Sequence, residues 1–383
     1  MSAGSHRKEM TARPVIAIHA SITEIGADAW DRCFPEALET YAYYQAVETV
    51  GIPGFSWRYI SVRDGEAVLA VAPVFLTAYR LDTTAQGWVR RLALGLARVA
   101  PGLLALRLAC LGSPVTEICQ VGFAPDVPGE TQEALAETVL DGLNRVAAGE
   151  GIGLLGVKEI PVNAVPLIAA LRRRGWAEMT ALPSAELALA HATFDDYLAT
   201  LSRATRKDMR RKLKSAAALR IERRTVIDDV LPRIKVLYDQ TRAGGDFQFE
   251  DLPAAYFQAV LTHLPGRASC FLYWYEDELL GFNLLLESHD HMLDKFIGMD
   301  QERGRTFNLY FVSWLNNVRY CIEHGCHRYQ SGQGGYAVKL RLGSTLVANA
   351  LYFRHRRAVV NALLRLVSRL VEPDGPAVGK LTA

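Results

Sequence analysis

The chain has 383 residues, a formal net charge of +2, half of its residues apolar and 22% charged, enough for two or three domains with a full core. So small a net charge excludes attraction of the whole molecule to nucleic acid or membrane and leaves only local clusters to act that way. The composition excludes a disordered protein except at the ends, residues 1–15 and 373–383, which are read as tails.

In chain order, the first helix signal is "YAYYQAVETVG" at 41–51, followed by a strand at 56–62, the turn "RDGE" and a second strand at 67–79. No uncharged run reaches the ~20 residues of a spanning helix. The nearest, 92–112, is broken by Arg98, Pro101 and Arg107 and reads as a buried helix–turn–helix, with contact to a membrane surface as the alternative. A periodic helix at 130–151, a strand at 152–160 and a further helix at 165–179 complete the first part. The pattern then repeats. "PAAYFQAVLTHLPG", "ASCFLYWY", "EDEL" and "LGFNLLLES" run from 253 to 288, and a helix at 306–324 precedes a strand at 326–332. AYYQAV and AYFQAV are nearly alike, so the order predicts a duplication with domains at 16–190 and 191–372. Each is an α/β (α+β) unit with a mixed sheet flanked by helices.

Between the repeats lies "TFDDYLATLSRATRKDMRRKLKSAAALRIERR". Thr193 is an N-cap candidate, with Asp195 and Asp196 in the first turn. At 100° per residue Leu198, Leu201, Met209, Leu213 and Ala216 share one sector, and Arg203, Arg206, Lys207, Arg210 and Lys214 another. The basic ridge is either a solvated face or a surface for phosphates, with Arg206 and Arg210 the nearest candidates. Lys212 interrupts the apolar side.

The polar residues inside apolar surroundings carry the chemistry. Asp294 sits in "MLDKFIG", where an acid needs a partner or a function. Glu287 and Asp300 stand near it in sequence and are further candidates for a base. The loop Gln301, Glu302, Arg303, Gly304, Arg305, Thr306 joins a strand to a helix, where backbone N–H groups can meet a phosphate. The stretch "YQSGQGGYAVKLRLGS" brings Gly332, Gln333, Gly334 and Gly335 ahead of Tyr336, Lys339 and Arg341. Its glycines suit a ligand-facing loop, and Tyr336 is a candidate proton donor. No G-x-S-x-G elbow indicates a serine nucleophile, and Cys326 with His327 on one strand would point to opposite faces. The six cysteines form no CxxC pair; scattered free thiols and no leader-like start fit the cytoplasm. Cys321, His324, Cys326 and His327 point in different directions on this reading, so no metal is expected.

The α-β-β-β-α-β unit with its strand–loop–helix passage resembles the GNAT superfamily of acyltransferases. The duplication, "FDDYLATLSRATRKDMRRKLK" and "GGYAVKLRLG" resemble its two-domain FemAB-like branch, over roughly residues 20 to 370. The resemblance implies direct attack of an amine on an activated acyl group. It places Gln301, Arg303, Gly304, Arg305 and Thr306 on the donor's pyrophosphate in a degenerate loop, because Thr306 stands where a small residue is usual. Lys339 matches the lysine that stabilises charge on the reacting ester. Tyr336, Asp294 and Glu287 join it as catalytic candidates, and Gln333, Gly334, Gly335 and Arg341 as substrate contacts. Acyl-CoA is the expected donor, with aminoacyl-tRNA the alternative. The acceptor is an amine on a small molecule or a cell-envelope precursor. A non-catalytic scaffold in polysaccharide assembly is the reading from a different class. The first half, with Pro125-flanking "FAPDVPGE" where amides would be needed, is expected to have lost donor binding and to shape the acceptor site.

Overall fold

The computed structural model describes residues 14–80, 105–244 and 250–370. The first half begins with β1 (Val15–His19), α1 (Ala27–Cys33) and α2 (Tyr41–Val50). The hairpin β2 (Phe55–Asp64) and β3 (Ala67–Arg80) follows, then β4 (Ala105–Leu111), β5 (Gly122–Phe123), α3 (Gly129–Gly149) and β6 (Leu154–Pro161). After α4 (Val165–Arg173) come β7 (Ala177–Thr180) and β8 (Ser184–Ala188). The second half runs through α5 (Phe194–Thr200), α6 (Arg203–Ser215), β9 (Leu219–Arg224), α7 (Leu231–Ala243) and α8 (Ala254–His263). Its sheet is built by β10 (Ala268–Tyr275), β11 (Glu278–Glu287) and β12 (His291–Met299), followed by α9 (Leu309–Glu323) and β13 (Arg328–Ser331). The chain closes with α10 (Tyr336–Arg341), β14 (Thr345–Val347), β15 (Asn349–His355) and α11 (Ala358–Leu370).

Three expectations are corrected. Residues 165–179 are not one helix: α4 ends before Gly175, whose φ of +68° is the left-handed stop that glycine takes without strain, and a strand follows. Residues 105–111 form β4, paired with β3 and β6, rather than part of a buried helix–turn–helix; 92–104 of that run lie outside the described residues, as do 1–13 and 373–383 of the tails. The basic stretch is two helices. Thr193 caps α5, accepting from the Asp196 N–H at 3.1 Å, but Ser202 opens a new cap by accepting from Thr205 N–H at 3.2 Å. A single projection from Leu198 to Ala216 therefore crosses a break.

Two sheets result, with strand orders β1-β2-β3-β4-β6-β15-β7 (β5 on the edge of β3) and β14-β8-β13-β12-β11-β10-β9. They do not divide the chain at one point. β7 pairs in the first sheet and β8, four residues on, in the second; β14 pairs in the second and β15 in the first. The halves thus exchange strands through two short links. Asn349 fastens them, its side-chain amide donating to Leu182 O at 2.9 Å and its backbone carbonyl accepting from Ala181 N–H at 3.1 Å.

The repeated helices meet where the duplication predicts symmetry. α2 and α8 pack on each other, and the equivalent residues Tyr43 and Tyr256, both fully buried, touch hydroxyl to hydroxyl at 2.8 Å. Tyr43 donates to Val115 O at 2.7 Å, so both polar tips are satisfied inside one apolar core that spans both halves, from Trp30 and Tyr59 to Phe257 and Phe282. A second core under α9 joins Met209, Leu285, Trp314, Leu315 and Tyr329.

Shared strands and a shared core bind the halves into one cooperative unit. Urea unfolding followed by fluorescence and by circular dichroism should give one coincident transition. Tyr352→Ala, on β15 but buried in the first half's core, should lower stability by about 3 kcal/mol. Two resolved transitions would show that the halves fold independently.

Candidate active site

β12 and β13 run parallel and stay paired only from His291↔Arg328 to Asp294↔Ser331. Beyond that point β12 continues to Met299 while the chain after Ser331 turns away through Gly332–Gly335, so the sheet opens into a wedge. Gly334 (φ +91°) and Gly335 (φ +61°) make this turn in the left-handed region, and α10 starts on it. A Cβ on Gly335 would sit 2.9 Å from the Tyr310 hydroxyl, so its missing side chain leaves room against that ring.

Lys339, on α10, is 4% exposed and turns its ammonium onto Gly332 O. Asp294 lies at the last paired position of β12. Its carboxylate accepts from Asn283 Nδ2 at 2.9 Å, Asn317 Nδ2 at 3.2 Å and Tyr329 OH at 2.9 Å. Burial raises its pKa, against those donors and the Lys339 charge. Burial also lowers Lys339 to about 8, against the pull of Glu117 and Asp294.

Glu117 comes from the other half. It sits on the loop after β4, where Gln330 Nε2 donates to its Oε2 at 2.5 Å, while Oε1 is buried without a partner among the described residues. That free oxygen lies 3.5 Å from where a Cβ on Gly332 would be. Burial pushes its carboxyl up to about 7, moderated by the Gln330 hydrogen bond and the charges of Lys295 and Lys339. Sequence reading missed it. The one signal was an acid alone in the apolar stretch "SPVTEIC".

The first half has the same parallel pair, β4 with β6, from Leu108↔Leu154 to Leu111↔Val157. There the opening is laced shut. Lys158 Nζ donates to Thr116 O at 2.6 Å and pairs with Glu159 at 2.8 Å, and Glu159 O accepts from Cys119 N–H. Gly112 is required at the bend: its φ is +111° and a Cβ would lie 3.0 Å from Lys158 Cγ. This tied-down loop carries Glu117 to the second half.

Several expected residues are engaged elsewhere. Glu287 accepts from Arg223, Ser269 and Tyr320 in its own network beside the second core. Tyr336 donates its hydroxyl to Pro183 O at 2.9 Å, on the exchange link, and Gln333 reaches Leu182 O at 3.4 Å. Arg341 is held by Asp208 at 2.8 Å and Thr205 at 3.2 Å, tying α10 to α6. In the strand-to-helix loop, the N–H groups of Glu302 and Arg303 already donate to the Asp300 carboxylate at 3.2 and 2.9 Å. Asp300 is in turn bound to Arg233, and Arg303 pairs with Glu278 over the Tyr275 ring. Gly304 is buried, whereas Arg305 and Thr306 are exposed. The backbone donors of Glu302, Arg303 and Gly304 are thus spent internally, the last on Asp300 O at 3.0 Å. On the basic ridge Arg206 donates to Ala199 O and Arg210 approaches Asp195 at 3.4 Å, while Arg203, Lys207, Arg210 and Lys214 stay exposed. Cys321 donates its thiol to Met292 Sδ at 3.5 Å and Cys326 donates to Arg328 O at 3.4 Å.

Behind the site, Lys295 reaches across to Glu39, with the two side chains only 2% and 12% exposed, and stands 5.0 Å from the Tyr43 ring centre. Removing one partner of a pair this buried strands the other charge. Glu39→Gln or Lys295→Met alone should cost about 3–5 kcal/mol, and the double variant Glu39→Leu/Lys295→Met should recover most of it, as measured by urea denaturation.

Residues 203–340 match the family model described as acetyltransferase (GNAT) domain. Among solved structures, FemX superposes with a TM-score of 0.59 at 15% identity, covering 92% of this chain and 100% of that one. A tandem GNAT protein from the clavulanic acid biosynthesis pathway gives 0.53 at 12%, covering 89% and 98%. A Mycobacterium tuberculosis protein provisionally named 8-amino-7-oxononanoate synthase 2 is 22% identical over 351 residues, 87% of this chain and 45% of its own length. The chain thus spans about half the length of the curated relatives it matches. The chain has the two-domain fold seen in FemX and in the tandem GNAT protein, and its residues 203–340 match a GNAT acetyltransferase domain.

Proposed function

We propose that the protein transfers an acyl group from an activated donor to an amine in the wedge between β12 and β13. The observation that carries this reading is the meeting of Lys339 and Asp294 of one half with Glu117 of the other. Acyl transfer to an amine needs a base for the amine proton and a positive group near the tetrahedral oxyanion. Glu117 supplies an unpartnered carboxylate oxygen at the mouth, with a pKa near the working range. Lys339 keeps two N–H donors free after its bond to Gly332 O and faces the developing negative charge. Asp294 holds that ammonium by charge. Tyr336, its hydroxyl committed to Pro183, acts in this scheme as a brace for the glycine turn. The convergence disfavours the scaffold reading.

Two donors fit. Acyl-CoA is the donor usual for the GNAT family, and an acyl-pantetheine arm would enter where the strands part. The Asp300 carboxylate, occupying amides that would otherwise meet a pyrophosphate, favours the second reading, aminoacyl-tRNA laid along the exposed arginines of α6. The acceptor in either case is an amine of a small molecule or a cell-envelope precursor.

Binding titrations with acetyl-CoA, a longer acyl-CoA and a pool of charged tRNA separate these. Saturable acyl-CoA binding that Arg305→Ala weakens supports the first. Binding only to charged tRNA, weakened steeply by salt and by Arg203→Ala/Lys207→Ala, supports the second. Binding to neither removes the proposal.

Once a donor is known, turnover should follow a bell-shaped pH profile. It rises as Glu117 ionises through about 7 and falls as Lys339 loses its proton through about 8. Glu117→Gln should lower kcat roughly 10²-fold or more and abolish the rising limb. Lys339→Met should lower kcat roughly 10²–10³-fold with little change in donor affinity. An unaltered profile in Glu117→Gln would exclude it as the base.

A further inference from the structure

Helix α11 covers the outer face of the first sheet with only one of its sides. Val360, Asn361, Leu364 and Ser368 turn inward, and Leu364 reaches the apolar patch of Phe75, Leu108, Cys110 and Leu154. The other side is apolar too. Val359, Leu363 and Leu366 are 83%, 58% and 59% exposed, with Ala358 and Ala362 exposed between them. Residues spaced i, i+4 and i+7 form one continuous stripe along a helix, and a contiguous exposed apolar stripe marks an interaction surface.

The charge around the stripe narrows what covers it. From Arg354 to Val371 the sequence holds Arg354, Arg356, Arg357, Arg365 and Arg369 and no acidic residue. Among the described residues Arg354, Arg356, Arg357 and Arg365 form no ion pair; Arg365 donates to the Gly175 carbonyl at 3.0 Å, which leaves its charge uncompensated. Strand register fixes where this lies. Leu154 pairs with both Leu108 and His355, and Arg80 pairs with Ala105, so α11 starts at the end of the sheet where β3 stops and β4 begins. A chain whose net charge is only +2 therefore gathers arginine at one end beside an apolar stripe.

We propose that α11 docks in the plane of an anionic lipid surface, with Val359, Leu363 and Leu366 at the acyl boundary and the arginines among the phosphates. A basic amphipathic helix with this division of faces matches such a surface in both charge and polarity. A second copy of the chain fits less well, because a symmetric contact would set like charges against each other. The proposal does not depend on the acyl-transfer chemistry.

Co-sedimentation of the full chain tests it, using vesicles of phosphatidylcholine alone and of phosphatidylcholine mixed with phosphatidylglycerol. Binding is expected only with phosphatidylglycerol, and should decline steeply with added salt. Leu363→Gln/Leu366→Gln and Arg356→Gln/Arg357→Gln, all at exposed positions, should each weaken it about tenfold or more while leaving thermal unfolding unchanged. No binding to either vesicle, or binding indifferent to the leucine variant, overturns the proposal. So does a concentration-dependent dimer in solution that the leucine variant disrupts, which assigns the face to a second copy. Hydrogen-exchange protection of Val359–Leu366 in the free protein that vanishes on deleting 81–104 likewise overturns it, assigning the face to the chain itself.

Discussion

The reciprocal exchange of β8 and β15 is the constraint on which the rest of the structure depends. Each sheet is completed by a strand that the chain delivers from beside the other sheet, so neither half has a finished edge without its partner. The links are too short to let the halves drift: β7 and β8 are separated by residues 181–183, and β14 and β15 by residue 348 alone. Pro183 lies on the first link, Asn349 at the start of β15 is bonded to it through Leu182, and Tyr336 and Gln333 are bonded to the same segment. The geometry of the candidate site is therefore set by the joint between the halves. A small displacement at residue 182 would be felt at Gly332, and from there at Lys339.

The second consequence concerns how Glu117 is held. A carboxylate near Lys339 could have come from any neighbouring element, but here it comes from a loop that Lys158 and Glu159 clamp from below. The clamp occupies the parallel-strand opening of the first half. Its charge pair is internal, so it leaves Glu117 to face the second half with one oxygen bound and one free. Free polar atoms in buried places cost stability unless something later satisfies them, which is why this oxygen stands out from the carboxylates around it.

Much of the fold was legible because it is written locally. The hairpins announce themselves by alternation and turn residues, and the AYYQAV and AYFQAV helices by their repetition. The strands β7 and β15 were not, since what makes them strands is a partner far away in the chain: Ala350 pairs with Thr180 and Ile160. The site divided the same way. Asp294 could be picked out because it breaks a local pattern, an acid in an apolar strand, and Lys339 because its segment resembles a family motif. Glu117 could not, because its meaning lies in the contact with Gln330, over two hundred residues on. Arg303 shows the converse: beside Gly304 it reads as an anion contact, and only the fold reveals that Glu278 pairs with its side chain and Asp300 with its N–H.

The Tyr43–Tyr256 contact has a further implication. Two equivalent residues facing one another cannot share a symmetric hydrogen bond, because only one proton can lie between two oxygens. Tyr43 gives its proton to Val115, so the proton between the two oxygens must belong to Tyr256. At the centre of the duplication the copies are already unlike, one a relay to the loop that bears Glu117 and the other a terminal donor. The difference in duty between the halves begins with the orientation of a single O–H bond.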